Sequence, residues 1–184
     1  MLKRQREPFD GELRFCFPSR RRLDNRYKNR RSARQMKTAD EIVSKIEQKV
    51  NSTSSRDESL RYAVQVLKEE RAHYNWVGIY LVDRDTLVLH NYIGKPTEHT
   101  RIPIGTGVCG AAVALGANQI VGDVTKIDNY LACSLETRAE IVVLIRKSDE
   151  IAGQIDIDSD LENAFNQEDE LLLNRVAALL ASLF

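Results

Sequence analysis

Residues 75–90 read NWVGIYLVDRDTLVLH, and the fold turns on them. Asn75 to Val82 is an apolar and aromatic run, Asp83-Arg84-Asp85 supplies turn chemistry, and Thr86 to His90 is a second β-rich run. Such runs, joined by a few turn residues, form hairpins. A connection this short admits only an antiparallel pair, because parallel strands need a long crossover. The first sheet element is therefore an antiparallel hairpin.

Working outward, the residues before the hairpin are helical. Thr38-Ala-Asp-Glu41 has the pattern of a capping box and precedes Ile42, Val43, Ile46 and Val50, which share one helix face. A turn over 51–55 follows. Ser55-Arg-Asp-Glu58 repeats the capping pattern ahead of Leu60, Ala63, Val64 and Leu67. Beyond the hairpin, a loop over 94–107 (GKPTEHTRIPIGTG) leads to a short helix over 108–115 ended by Gly116. A strand is expected over 119–124, then a polar irregular stretch over 125–139. Residues 141–145 and 153–157 read as two central strands. A last helix from about Gln167 carries Leu171, Leu172, Val176, Leu179 and Leu183 on its buried stripe. Helices, antiparallel strands, an excursion, two more strands and a helix describe an α+β domain without internal repeats.

Charge is unevenly spread. Residues 1–37 hold thirteen Lys/Arg against four Asp/Glu, whereas the remainder holds fourteen against twenty-three. The segment 1–37 is a basic extension with few aliphatics and no helical or strand period, and it reads as disordered. One reading of it is phosphate contact with nucleic acid, which predicts salt-sensitive binding that disappears when residues 1–35 are removed. The favoured reading is that Met36 is the natural start and the extension is not native. Nucleic acid is therefore not expected as a partner. The domain proper is 38–184. No stretch is long and apolar enough for a secretory signal or a membrane span, so a cytoplasmic protein without a membrane partner is expected.

Cys16, Cys109 and Cys133 are odd in number and widely spaced, which argues against a disulfide framework. There is no CxxC, and His73, His90 and His99 form no metal-like pair, so neither a metal nor another cofactor is expected. GTGVCG lacks the Lys-Ser/Thr of a phosphate loop and the spacing of a dinucleotide fingerprint. Cys133 stands in LACSLETRAEIVV, a polar run leading into a strand, with Arg138 as a candidate positive neighbour. Glu136 and Glu140 oppose its ionisation if both are charged. Asp156 and Asp158 alternate with Ile155 and Ile157, which puts both carboxylates on one face of a strand. If that face meets a pocket with Glu140, repulsion and desolvation raise at least one pKa and provide a proton donor. The competing reading is a solvated sheet face. Trp76 and Tyr80 also share a face, with Gly78 between them leaving room for a small ligand. From the residues alone, ordinary core is the favoured reading of both rings.

NWVGIY, GTGVCG, LACSLETRAEIVV and GQIDIDS, in this order and at this spacing, resemble the free methionine-(R)-sulfoxide reductases over residues 38–184. The resemblance implies a GAF domain. Its sheet is mixed but mainly antiparallel, with the terminal helices on one side and a ligand pocket on the other. It implies thiol-dependent reduction of free methionine sulfoxide through a cysteine sulfenic acid, with thioredoxin or another thiol returning the electrons. A homodimer is expected, since several members are dimers. By position, Cys133 takes the place of the reactive thiol and Cys109 that of a second, recycling cysteine. Trp76 and Tyr80 match the aromatic pocket walls. Glu140, Asp156 and Asp158 match the pocket carboxylates, Glu140 and Asp158 among them as catalytic candidates.

The chain departs from the family pattern at three places. His99 occupies the position of a further, resolving cysteine. Asn129-Tyr-Leu-Ala132 replaces a Gly-His, and Leu144 stands where proline is common. Regeneration then falls to Cys109 or to an external thiol. Because a fold is not a function, the alternative is a non-catalytic GAF module that binds a small molecule.

Overall fold

The computed structural model describes residues 37–127, 131 and 136–184. Residues 1–36 of the basic extension and Cys133 lie outside the described residues. Helix α1 (Ala39–Ser52) begins at Thr38, whose side chain accepts from the Glu41 N–H while Glu41 reaches back to the Thr38 N–H. Helix α2 (Arg56–Glu70) is capped on one side only. Ser55 accepts from the Glu58 N–H, but the Glu58 carboxylate turns instead to Lys49 and Thr53. The reciprocal box expected there is corrected to a single cap, because a lysine from α1 competes for the acid.

Six strands follow: β1 (Trp76–Asp83), β2 (Thr86–Ile93), β3 (Arg101–Pro103), β4 (Gln119–Val121), β5 (Ala139–Lys147) and β6 (Glu150–Ser159). Their order across the sheet is β3-β2-β1-β6-β5-β4, and every pairing is antiparallel. The predicted hairpin is β1–β2. His90 is an extra residue in β2, opposed to nothing between the Ile79–Asn91 and Tyr80–Leu89 pairs. Such a bulge bends its strand, and the His90 ring reaches Asp57 of α2 at 3.0 Å. Two details differ from expectation. The 94–107 loop contains β3, three residues too short to show a period. Strand β4 ends at Val121, because Asp123 accepts from the Thr125 N–H and starts a 3-10 turn (Val124–Lys126).

The two sheet faces bury different chemistry. Val77, Ile79, Ile141, Val143, Ile145, Ile155 and Ile157 point to one side. There they meet Ile42 and Ile46 of α1, Leu60, Val64 and Leu67 of α2, and Leu172, Leu173, Val176 and Leu180 of helix α4 (Gln167–Ala181). Burying such side chains contributes about 1.5–3 kcal/mol each, and this layer is the main core. The opposite face carries Trp76, Tyr80, Leu87, Val142 and Leu144 beneath helix α3 (Gly107–Leu115), which supplies Val108, Cys109 and Ala112. Three helices on one face and the site on the other is the arrangement expected from sequence. No helix among the described residues is long and apolar enough to cross a membrane.

Candidate active site

Strand period two decides which side chains meet. On β6, Ile155 and Ile157 enter the main core, so Gln154, Asp156 and Asp158 enter the other face. The register then builds rows across three strands. Asp158 is opposite both Trp76 of β1 and Glu140 of β5. Asp156 is opposite Gly78 and Val142, and Gln154 is opposite Tyr80 and Leu144. Helix α3 lays Cys109 over these rows, its thiol donating to Glu140 Oε1 at 3.7 Å.

The solvated-face reading is excluded for these acids. Asp156 is 0% exposed, Asp158 1% and Glu140 4%. Carboxylates directly opposite one another destabilise a sheet, and burial charges a further penalty for ionisation. Neither Asp156 oxygen has a hydrogen-bond partner at ordinary distance. Loss of solvation pushes its pKa up to about 7, while Cys109 and Glu140, close by, hold it below what burial alone would give. Asp156 is thus a carboxyl poised between its two forms near neutral pH.

Trp76 and Tyr80 do line this face, their rings 6.4 Å apart. The role given to Gly78 is corrected. A Cβ there would stand 2.2 Å from the Trp76 ring, and one at Gly94 would stand 2.4 Å from it. The glycines admit the indole rather than a ligand, and Tyr92 stacks on it with ring centroids 5.3 Å apart. Tyr80 donates to the His99 carbonyl at 2.7 Å, tying the β2–β3 loop to the sheet. Lys95 of that loop pairs with Glu136, on the approach to β5.

Of the nominated residues, the structure brings together Trp76, Tyr80, Cys109, Glu140, Asp156 and Asp158. Arg138 is exposed, with its guanidinium on the neighbouring Thr137 carbonyl. Sequence reasoning missed Gln154, fully buried on the same face with both amide atoms unpartnered. Its parity with Asp156 and Asp158 was the available signal. A cavity of about 10 Å³ lies against Cys109 and Glu140, closed by Leu131, Val108, Ile102, Thr106 and Gly107. A larger cleft of about 680 Å³ near the starts of α1 and α4 gathers Lys37, Arg71, His73 and Arg175 with Glu168 and Asp169.

Known proteins are similar to this chain in sequence and in fold. Residues 55–183 match the GAF domain family. The chain is 41% identical to free methionine-R-sulfoxide reductase of Escherichia coli over 115 residues, covering 62% of this chain and 69% of that protein. It is 38% identical to the Saccharomyces cerevisiae protein of the same name, covering 58% of this chain and 61% of that one. Among solved structures, the free methionine-R-sulfoxide reductase of Neisseria meningitidis, in complex with its substrate, superposes with a TM-score of 0.75 at 38% identity. That match covers 79% of this chain and 87% of the other. With the acid rows, the aromatic wall and the overlying cysteine already built on an antiparallel GAF sheet, the chain belongs to the GAF family and, within it, to the free methionine-R-sulfoxide reductases.

Proposed function

We propose that this protein reduces free methionine (R)-sulfoxide to methionine with a cysteine thiol. The observation that carries the reading is the buried set of Glu140, Asp156 and Asp158 beneath Cys109 and beside Trp76 and Tyr80. It is supported by substrate complexes in relatives that share the fold at 29–38% identity. A zwitterion with an ammonium group suits an acidic pocket, and an indole suits its sulfur and methyl.

In the reaction, the Cys133 thiolate attacks the sulfoxide sulfur. The S–O bond breaks as the oxygen takes a proton and ends on Cys133 as a sulfenic acid. The substrate sulfur gains two electrons and the cysteine loses them. Asp156, half protonated near neutrality, supplies that proton, while Glu140 and Asp158 hold the ammonium. Cys109 then attacks the sulfenic sulfur, releasing water and forming a disulfide that an external dithiol of the thioredoxin class reduces. The domain doing this is 38–184, acting as a homodimer in a reducing compartment.

The test is turnover of the two epimers with dithiothreitol, alongside Cys133→Ser. Turnover of the R epimer alone, abolished in Cys133→Ser, supports the proposal. A folded protein that turns over neither epimer yet still binds methionine sulfoxide would be a binding module instead.

A further inference from the structure

The buried cluster has donor chemistry that the reductase reading does not exhaust. One donor atom from each of Cys109, Glu140 and Asp156 lies within 4.8 Å of the others, and all three residues are buried. Around a tetrahedral zinc ion, with Zn–S about 2.3 Å and Zn–O about 2.1 Å, a sulfur and an oxygen stand about 3.6 Å apart, and two oxygens about 3.4 Å. Cys109 Sγ and Glu140 Oε1 are 3.7 Å apart, which is ligand spacing without movement. Drawing in the third atom takes a side-chain adjustment on the order of 1 Å.

Asp156 gives an independent reason. It is fully buried, and both its oxygens lack a partner at ordinary hydrogen-bond distance. An ionised carboxylate in that position is costly unless a cation answers it. The cavity against Cys109 and Glu140, about 10 Å³, has room for a single water or ion. Its other described walls, Ile102, Thr106, Gly107, Val108 and Leu131, are uncharged.

We propose that Cys109, Glu140 and Asp156 form a site for a borderline-soft divalent cation of the zinc class, with a fourth position open to water. A thiolate among the ligands selects zinc, cobalt or cadmium over magnesium and calcium, which prefer all-oxygen sets. Binding takes Cys109 as the thiolate and releases its proton. An occupied site removes Cys109 from disulfide exchange, engages Glu140, one of the two acids assigned to the ammonium, and ties up Asp156 as proton donor. Zinc then acts as an inhibitor that also protects the thiol.

The experiment titrates the reduced full chain with cobalt(II), free of chelator, and reads absorption and proton release without any turnover. A saturable thiolate-to-cobalt charge-transfer band with one equivalent bound is expected, displaced by zinc and unaffected by magnesium. The band disappears in Cys109→Ser, persists in Cys133→Ser, and shifts to cobalt concentrations at least about tenfold higher in Asp156→Asn. Near-ultraviolet circular dichroism checks the fold of each variant. Zinc also slows alkylation of Cys109 in the unaltered protein, followed by peptide mass spectrometry, which needs no variant. A band that survives Cys109→Ser, no saturable binding in the micromolar range, or unchanged alkylation would overturn the site. None of these outcomes depends on whether the protein reduces methionine sulfoxide.

Discussion

Asp156 carries a raised pKa inside a sheet whose other face is aliphatic, and its titration reaches both stability and turnover. Its pKa rises from 3.8 to about 7 on folding, because burial disfavours the charged form. The stability that the protonated group allows is fully present below pH 3.8 and is lost as pH rises towards about 7, levelling off above it. In chelator-treated protein, Asp156→Asn is expected to match the parent near pH 4. Its relative stability then grows up to pH 7, with an upper limit of about 4 kcal/mol, as read by urea denaturation across pH. If Asp156 is the proton donor, the same substitution removes most of the turnover, and the parent's kcat falls as pH passes upward through about 7. Gly78 is the other sensitive position. A Cβ 2.2 Å from the indole forces Trp76 out of its slot. Gly78→Ala is expected to raise KM more than it lowers kcat, with a change in tryptophan emission as the independent readout. Sequence parity placed Asp156 and Trp76 on their face, but the indole filling the space over Gly78 became visible only in three dimensions.

At the scale of the element, helix α3 determines where Cys109 stands. Gly110 packs against the backbone of the β3–α3 turn, where a Cβ would lie 2.6 Å from the Pro103 carbonyl oxygen and 3.0 Å from the Gly105 nitrogen. Neither atom is the end of a flexible side chain. Gly110→Ala should therefore cost about 1–3 kcal/mol of stability. It should also shift α3, so turnover supported by thioredoxin falls more than turnover supported by dithiothreitol. Equal loss with both reductants would remove Cys109 from the recycling step. The helix itself was legible, since a short apolar run ended by Gly116 gives its bounds within a residue. Strand β3 was not, because three residues carry too little alternation and its pairing comes from Leu87 and its neighbours in β2.

For the whole molecule, stability resides in the layer between the sheet and helices α1, α2 and α4. Ile157→Ala is expected to cost about 2–5 kcal/mol by urea denaturation, because it empties a fully buried position. Arg175→Ala breaks the pair with Asp40 that links α4 to α1, but both side chains are largely exposed. Its effect should stay within about 0.5 kcal/mol. A large loss from Arg175→Ala would move the weight from apolar burial to surface pairing. The sequence by itself determined the buried faces of α1 and α2, the hairpin, the parity of the acid strand and the family, because periodicity and turn chemistry are local properties of the chain. On α4 the expected stripe is corrected, since Leu171 is exposed while Leu173 and Leu180 are buried. Only the tertiary structure decided that Asp158 faces Glu140, that Gln154 is buried with its amide unpartnered, that Glu58 serves Lys49 rather than its own cap, and that Cys109 lies over the acids. These depend on strand register and on helix placement across a sheet, which are set by burial summed over the whole domain and not by any single segment.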